Sequence, residues 1–123
     1  MKYDIQYRDD IIKLVDKFYE KVVKDDIIGH IFNEVVHVDW KAHLPRMYDF
    51  WENILFYTGN FDGNPMSTHK TLNQRTPMDF THFNRWNTIF FETVDSFFKG
   101  DKAEEIKKRA LNISKAMMDK ALD

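Results

Sequence analysis

The fold is decided by residues 76–100, TPMDFTHFNRWNTIFFETVDSFFKG, which contain a helix start, an apolar stripe and a helix end in order. Thr76 can cap the first turn, Pro77 suits the first helical position, and an acidic residue follows. Lys99 and Gly100 are typical of a helix C-terminus. The apolar positions between them recur at helical spacing and are Phe80, Phe83, Trp86, Phe90, Phe91, Val94, Phe97 and Phe98. This stretch predicts one long helix with an aromatic face.

The same spacing predicts three further long helices. The first runs from Asp10 to the Asp25-Asp26 pair, the second follows an N-cap at Asp39, and the last opens at Asp101. Their stripes contain Ile11, Val15, Phe18 and Val22, then Trp40, His43, Met47, Phe50 and Ile54, then Ala103, Ile106, Ala110, Ile113 and Met117. Pro45 interrupts the second stripe, and because proline removes a backbone hydrogen bond we expect a kink or a start later than Asp39.

The intervening segments are short or rich in turn-forming residues. Residues 27–32 predict a helical turn that leads into an irregular connection, and residues 57–65 contain two of the four glycines, which is typical of a loop. Residues 66–70 leave room for a short turn of helix. No segment alternates apolar and polar residues as a half-buried strand does. We therefore predict one all-α domain over residues 1–123.

The composition excludes several classes of function. The absence of cysteine excludes disulfides, thiolate metal sites, iron–sulfur clusters and covalent c-type haem attachment. The 18 basic and 20 acidic residues are mixed along the chain, which argues against nucleic acid as a partner. No apolar run approaches the ~20 residues that span a bilayer, and no leader-like pattern opens the chain. We expect a cytoplasmic protein without a membrane partner.

Aromatic side chains are abundant, with 11 Phe, 5 Tyr and 3 Trp, and 6 Met accompany them. Two interpretations remain open at this point. The rings either pack only against one another in the core, or they also line a pocket for a flat apolar cofactor. Composition alone favours the first.

With cysteine absent, the five histidines are the candidates for nitrogen ligation of a metal. His30, His37 and His82 lie in connections or off the apolar stripe, and we interpret them as solvated. His43 lies on the apolar face of the second helix, so it points inward. Both a core role and a contact with a ligand remain open for it.

His69 stands between the glycine-containing loop and the Thr76 helix start, where a binding residue positioned by rigid helices is typically found. No spacing places two metal ligands on one helix, so any metal is expected to arrive inside a cofactor. A bound porphyrin requires three things of the protein: one axial imidazole, an apolar slot, and polar groups on the face of the porphyrin opposite that imidazole. Tyr19 and Trp86 can supply such inward polar groups.

Six segments together resemble the truncated haemoglobins, and specifically their third group, over nearly the whole chain. They are Phe18-Tyr19-Glu20-Lys21-Val22, Asp26-Ile27-Ile28-Gly29-His30-Ile31-Phe32, Trp40-Lys41-Ala42-His43, Phe50-Trp51, Gly63-Asn64-Pro65-Met66 leading to His69, and Phe83-Asn84-Arg85-Trp86. Each piece is weak alone, but their order and separation are specific. The glycine pairs typical of the other two groups are absent, and Pro45 departs from the family pattern.

The resemblance implies a bacterial-type truncated globin fold, a two-over-two helical sandwich around haem b. It implies that His69 is the proximal ligand of the iron, and that Tyr19, His43 and Trp86 stabilise a ligand on the distal side. The residues expected to contact the cofactor are Phe32, Met47, Phe50, His69, Leu72, Trp86 and Phe90.

The resemblance also implies a function. Dioxygen, nitric oxide and carbon monoxide are the expected ligands, and donors at Tyr19 and Trp86 suit redox or detoxification chemistry of O2, NO or peroxide better than oxygen transport. Nitric oxide dioxygenation and a peroxidase-like reaction are the candidate activities, with an unidentified reductase as a further partner. A sensor or store without turnover, and a helical interaction module without haem, remain as alternatives.

Overall fold

A computed structural model of the protein describes residues 2–30, 39–56 and 80–122, with side chains up to residue 116. The described residues form four long helices: α1 (Arg8–Lys24), α2 (Trp40–Phe56), α3 (Phe80–Phe97) and α4 (Asp101–Leu122). Apart from one isolated bridge between Tyr3 and Phe98, these residues contain no strand pairing. The prediction of an all-α chain is confirmed. The loop and turn predicted over residues 57–70, and the caps at Thr76 and Pro77, lie outside the described residues.

Helix α1 begins two residues earlier than the sequence pattern predicts. The Asp10 carboxylate reaches back and accepts hydrogen bonds from the backbone N–H groups of Gln6 (2.8 Å) and Tyr7 (3.2 Å), so it satisfies donors that precede the first turn. At the other end, Asp25 is the C-cap, and its extended backbone conformation ends the helix. One face of α1 is buried and carries Ile11, Leu14, Val15, Phe18, Tyr19 and Val22.

Helix α2 begins directly after Asp39 and continues through Pro45. The Asp39 carbonyl accepts the first helical hydrogen bonds, from the N–H groups of Ala42 (3.1 Å) and His43 (2.8 Å). The expectation of a later start was therefore wrong. The bond that proline cannot donate would have ended on the carbonyl of Lys41, and because both residues are exposed, water can satisfy that carbonyl.

The helices pack as two pairs, α1 with α2 and α3 with α4, and the pairs meet where α1 packs on α3 and α2 on α4. Helix α3 carries the predicted aromatic stripe and lies on α1 and α4 at once. The fully buried side chains form one continuous core that includes Phe18, Phe90, Ile11, Leu14, Leu55 and Ile106. No helix among the described residues has the length and apolar character needed to cross a membrane.

The segment before α1 closes the corner between α3 and α4. The two carboxylate oxygens of Asp4 accept hydrogen bonds from the backbone N–H groups of Lys102 and Ala103, both at 2.8 Å, and so cap α4. Gly100 has φ 145°, and a Cβ at this position would lie 2.5 Å from Asp4 Cγ. The predicted helix end at Lys99-Gly100 is confirmed, and glycine is required there for both space and backbone conformation.

Lys102 connects the same corner to α2. Its Nζ donates to the carbonyl of Leu55 at 3.1 Å and lies 5.8 Å from the ring centroid of Phe56. The carbonyls in the last turn of a helix lack partners inside that helix, so this ammonium group satisfies one of them.

Replacing Asp4 by alanine removes the partner of two backbone donors at the start of α4. We expect the Asp4→Ala variant to lose about 1–2 kcal/mol of unfolding free energy, as for other N-cap replacements. Urea denaturation followed by circular dichroism measures the loss. Glu92→Ala, which removes one exposed carboxylate from the middle of α3, is the matched control. Equal losses in the two variants would show that the cap contributes nothing.

Candidate functional site

Tyr19 lies on the buried face of α1, inside a group of rings. Its ring centroid is 4.9 Å from that of Phe18, 5.2 Å from that of Trp40 and 5.3 Å from that of His43. Only 9% of the residue is exposed. Trp40 and His43 are one helical turn apart on α2, and their own rings are 5.7 Å apart. The α1–α2 interface therefore encloses the phenol on three sides.

The Tyr19 hydroxyl has a polar neighbour within this apolar group. His43 Nε2 lies 3.3 Å from the hydroxyl oxygen, within hydrogen-bond distance. The phenol donates to a deprotonated Nε2, whereas a protonated Nε2 donates to the phenol oxygen. In the second arrangement the phenolic O–H can donate to a third group. The structure thus brings two of the three predicted distal residues together.

Burial controls the protonation of this phenol. The surrounding rings remove water from Tyr19, which disfavours the phenolate and raises the pKa of the side chain well above its ordinary value. The hydroxyl therefore remains neutral throughout the physiological pH range, and Tyr19 keeps its O–H as a hydrogen-bond donor.

Trp86, the third predicted distal residue, is held by the aromatic stripe of α3. Its ring stacks on Phe90 with centroids 5.6 Å apart and an interplanar angle of 5°, and it meets the Phe18 ring edge to face with centroids 5.3 Å apart. Phe18 also contacts Tyr19, so one ring supports both residues. Trp86 itself is only partly buried, which leaves part of its surface available to a ligand.

Phe90, which we predicted to contact the cofactor, lies behind neighbouring rings. It is 0% exposed and lies behind Trp86 and Trp51, with the Trp51 ring stacked on it at 5.0 Å. Phe90 therefore supports the rings of Trp86 and Trp51, and its contact with a cofactor stays a prediction. Met47 and Phe50 are partly buried against the core, and Phe50 contacts Trp51. These two remain candidates for contact with a cofactor.

The other predicted site residues are distributed differently. His69, Phe32 and Leu72 lie outside the described residues, as does His37. His30 is exposed, as predicted, and His82 is half-buried. Among the described residues, no cluster of three or more His, Asp or Glu side chains is placed to hold a metal ion.

Sequence reasoning missed two features beside the site. Trp40 contacts both Tyr19 and His43, and its position three residues before His43 was the available signal. Arg85, the residue immediately before Trp86 in the sequence, forms an ion pair with Asp25. Asp25 could be identified from the sequence only as a helix stop, because no local pattern reveals a partner 60 positions away.

Comparison with known proteins identifies the family. No family model matches the chain. A curated protein from Campylobacter jejuni, described as group 3 truncated hemoglobin ctb, is 31% identical over 117 residues, which cover 93% of this chain and 90% of that protein. The chain belongs to the group 3 truncated haemoglobins. The crystal structure of the group III truncated hemoglobin from the same species has a TM-score of 0.82 and 30% identity, covering 97% of this chain and 94% of that one.

The structural match confirms the predicted truncated globin fold. The two helix pairs, α1 with α2 and α3 with α4, are the two layers of the predicted helical sandwich. Both the sequence relationship and the structural superposition extend over nearly the entire chain, so the family assignment rests on the domain as a whole.

The described residues of this truncated haemoglobin fit a flat apolar cofactor. Trp40, Met47, Phe50 and Trp86 are large apolar side chains that stay only partly buried although they pack on the core. Trp40 contacts a buried, neutral phenol, which is paired with an imidazole. An apolar surface with a few convergent polar groups is the usual composition of a cofactor site.

Proposed function

We propose that this protein binds haem b and uses it to bind dioxygen and other diatomic ligands, nitric oxide and carbon monoxide among them. The observation that carries the proposal is the Tyr19 hydroxyl, buried beside His43 Nε2 at 3.3 Å in a truncated globin fold. A buried phenol that stays neutral is suited to donate a hydrogen bond to a ligand that bears partial negative charge.

His69 is the proposed iron ligand. The chain has no cysteine to provide a thiolate ligand, and His43 lies beside Tyr19, the residue proposed for the distal side. The sequence resemblance carried by Gly63-Asn64-Pro65-Met66 supports His69 in that role. A carbonyl or carboxylate that accepts from the other ring nitrogen would fix its tautomer.

When bound, the haem supplies an iron atom that coordinates the diatomic ligand. The protein supplies the surroundings of that ligand. We propose that the Tyr19 O–H and the Trp86 indole N–H donate hydrogen bonds to it, and that His43 sets the direction in which the Tyr19 proton points. The half-buried Met47 and Phe50 contribute apolar surface that keeps water away.

These donors would retain dioxygen for a long time. A hydrogen bond to a charge-bearing ligand in a dry site contributes roughly 1.5–3 kcal/mol, so two of them slow release by a factor on the order of hundreds or more. Slow release suits a protein that transforms its ligand better than one that delivers it. We therefore propose redox or detoxification chemistry of O2, NO or peroxide as the function.

One such reaction joins nitric oxide and dioxygen to form the nitrate anion. The net conversion consumes one electron for each nitrate formed, and an electron-donor protein, a reductase, has to provide it. A sensor or store would use the same pocket without this electron supply, which gives an experimental distinction.

The purified protein with added haem should show a Soret band, and His69→Ala should lose it or lose its histidine-ligated form. Absorption spectra of the ferric and ferrous proteins measure both. His30→Ala, which truncates an exposed histidine, is the control and should leave the spectrum unchanged. Absence of a Soret band in the unmodified protein would leave only a haem-free interaction module. An unchanged spectrum in His69→Ala would place the ligand elsewhere.

Removing the Tyr19 hydroxyl should accelerate oxygen release. We expect Tyr19→Phe to raise the dissociation rate roughly 10- to 100-fold, because one charge-assisted hydrogen bond is lost while the ring remains. Stopped-flow replacement of dioxygen by carbon monoxide measures the rate. Tyr7→Phe, at a position that is 68% exposed, should have no effect. An unaltered rate in Tyr19→Phe would mean that the phenol does not reach the ligand.

Turnover is tested by mixing the oxygenated protein with nitric oxide while a reductant is present. A converting protein should form nitrate in excess of its own concentration, because the reductant returns it to the starting state each time. A single equivalent of nitrate, with no cycling, would support a store or sensor and contradict the proposed turnover.

A further inference from the structure

An ion pair joins the end of α1 to α3 one residue away from Trp86. Arg85 Nε donates to Asp25 Oδ1 at 2.7 Å, and Arg85 Nη2 lies 2.7 Å from the same oxygen. These are short, charge-assisted contacts, and their geometry tolerates little displacement. The pair connects two helices that each carry a proposed ligand donor, Tyr19 on α1 and Trp86 on α3.

Asp25 is held in place by more than this arginine. Its second oxygen, Oδ2, accepts hydrogen bonds from the backbone N–H groups of Ile27 (3.0 Å) and Ile28 (3.1 Å), and only 5% of its side chain is exposed. Burial by itself raises the pKa of Asp25, but the Arg85 guanidinium and the two N–H groups together lower it. The carboxylate is therefore a fixed, charged anchor and differs from an ordinary surface ion pair.

The apolar contacts of Trp86 do not fix its position as tightly. The ring stacks on Phe90 and meets Phe18 edge to face, and dispersion contacts of this kind change little when a ring slides by a fraction of an ångström. A hydrogen bond to a ligand depends strongly on distance and angle. The position of the indole N–H therefore needs a directional constraint, and the adjacent Arg85 provides one.

We propose that the Asp25–Arg85 ion pair positions Trp86 for ligand binding, by fixing the rotation and register of α3 against α1. Arg85 and Asp25 are positioning residues that do not touch the ligand. This inference rests on the proposed function, since it assigns to Trp86 a donor role in the haem pocket.

The test is a double-mutant cycle on the full protein. We expect Arg85→Gln to raise the oxygen dissociation rate roughly 3- to 10-fold, because a misplaced indole forms a weaker hydrogen bond. In the Trp86→Phe background the same substitution should change the rate no further, since the group that Arg85 positions is gone. Arg85→Lys, which keeps the charge, should retain most of the unmodified behaviour.

Lys107→Gln is the matched control. Lys107 on α4 pairs with Asp95 on α3 at 2.7 Å, so this variant also removes a cation and an ion pair that reaches α3, but at the other end of the helix. It should lower thermal stability to an extent comparable with Arg85→Gln and leave the oxygen dissociation rate unchanged. If the oxygen dissociation rate changed equally in the two variants, a general loss of stability would explain the effect, and the proposal would be overturned.

A second measurement keeps the inference separate from haem binding. The 15N–1H signal of the Trp86 indole, assigned by its absence in Trp86→Phe, can be recorded on the protein as purified and on its carbon monoxide complex. Arg85→Gln should shift this signal, and Lys107→Gln should not. An unmoved indole signal in Arg85→Gln overturns the positioning role. A missing Soret band would overturn the proposed function alone, because the indole signal still reports where Trp86 lies.

Discussion

The structure depends on the edge-on packing of Phe18. This fully buried ring of α1 meets Tyr19, Trp86 and Phe90 at centroid distances of 4.9, 5.3 and 5.1 Å. Edge-to-face contact is the arrangement that the quadrupoles of aromatic rings favour, and it fixes the angle between neighbouring planes as well as their distance. One apolar side chain thus sets the tilt of the donor-bearing rings on α1 and α3, while the Asp25–Arg85 pair is the proposed constraint on their register. The site is in this sense an extension of the core.

A site built on a core in this way has a particular electrostatic character. Dry surroundings keep the Tyr19 phenol neutral, and they strengthen any hydrogen bond that it donates. The charges that hold the helices together are paired. Asp25 and Arg85 tie α1 to α3, while Arg8 ties α1 to α2 through Asp49 and Glu52 at 2.8 and 2.7 Å. Neutral donors at the site and paired charges between the helices allow polar groups to converge without the cost of burying an unpaired charge.

Much of this arrangement could be predicted from the sequence, because helical periodicity and caps are local signals. The stripe of α3 and its end near Gly100 were predicted for that reason. The N-cap at Asp39 was predicted too, but the later start expected from Pro45 was wrong, since the penalty of that proline depends on whether the Lys41 carbonyl reaches water. Periodicity also placed Phe90 on the correct face without showing that Trp86 and Trp51 would cover it. The pairing of Asp25 with Arg85 depends entirely on tertiary contact.

The first turn of α4 joins three parts of the chain. Asp4 accepts from its backbone N–H groups, and the Lys102 side chain of the same turn donates to the last turn of α2. Opening this turn would therefore uncap α4, release the segment before α1 and expose the end of α2 in a single event. The three segments therefore form one cooperative unit. We expect the backbone amides of all three to exchange their hydrogens at the same slow rate. The last turn of α2 is therefore protected from hydrogen exchange by its bond to Lys102 as well as by its own local contacts.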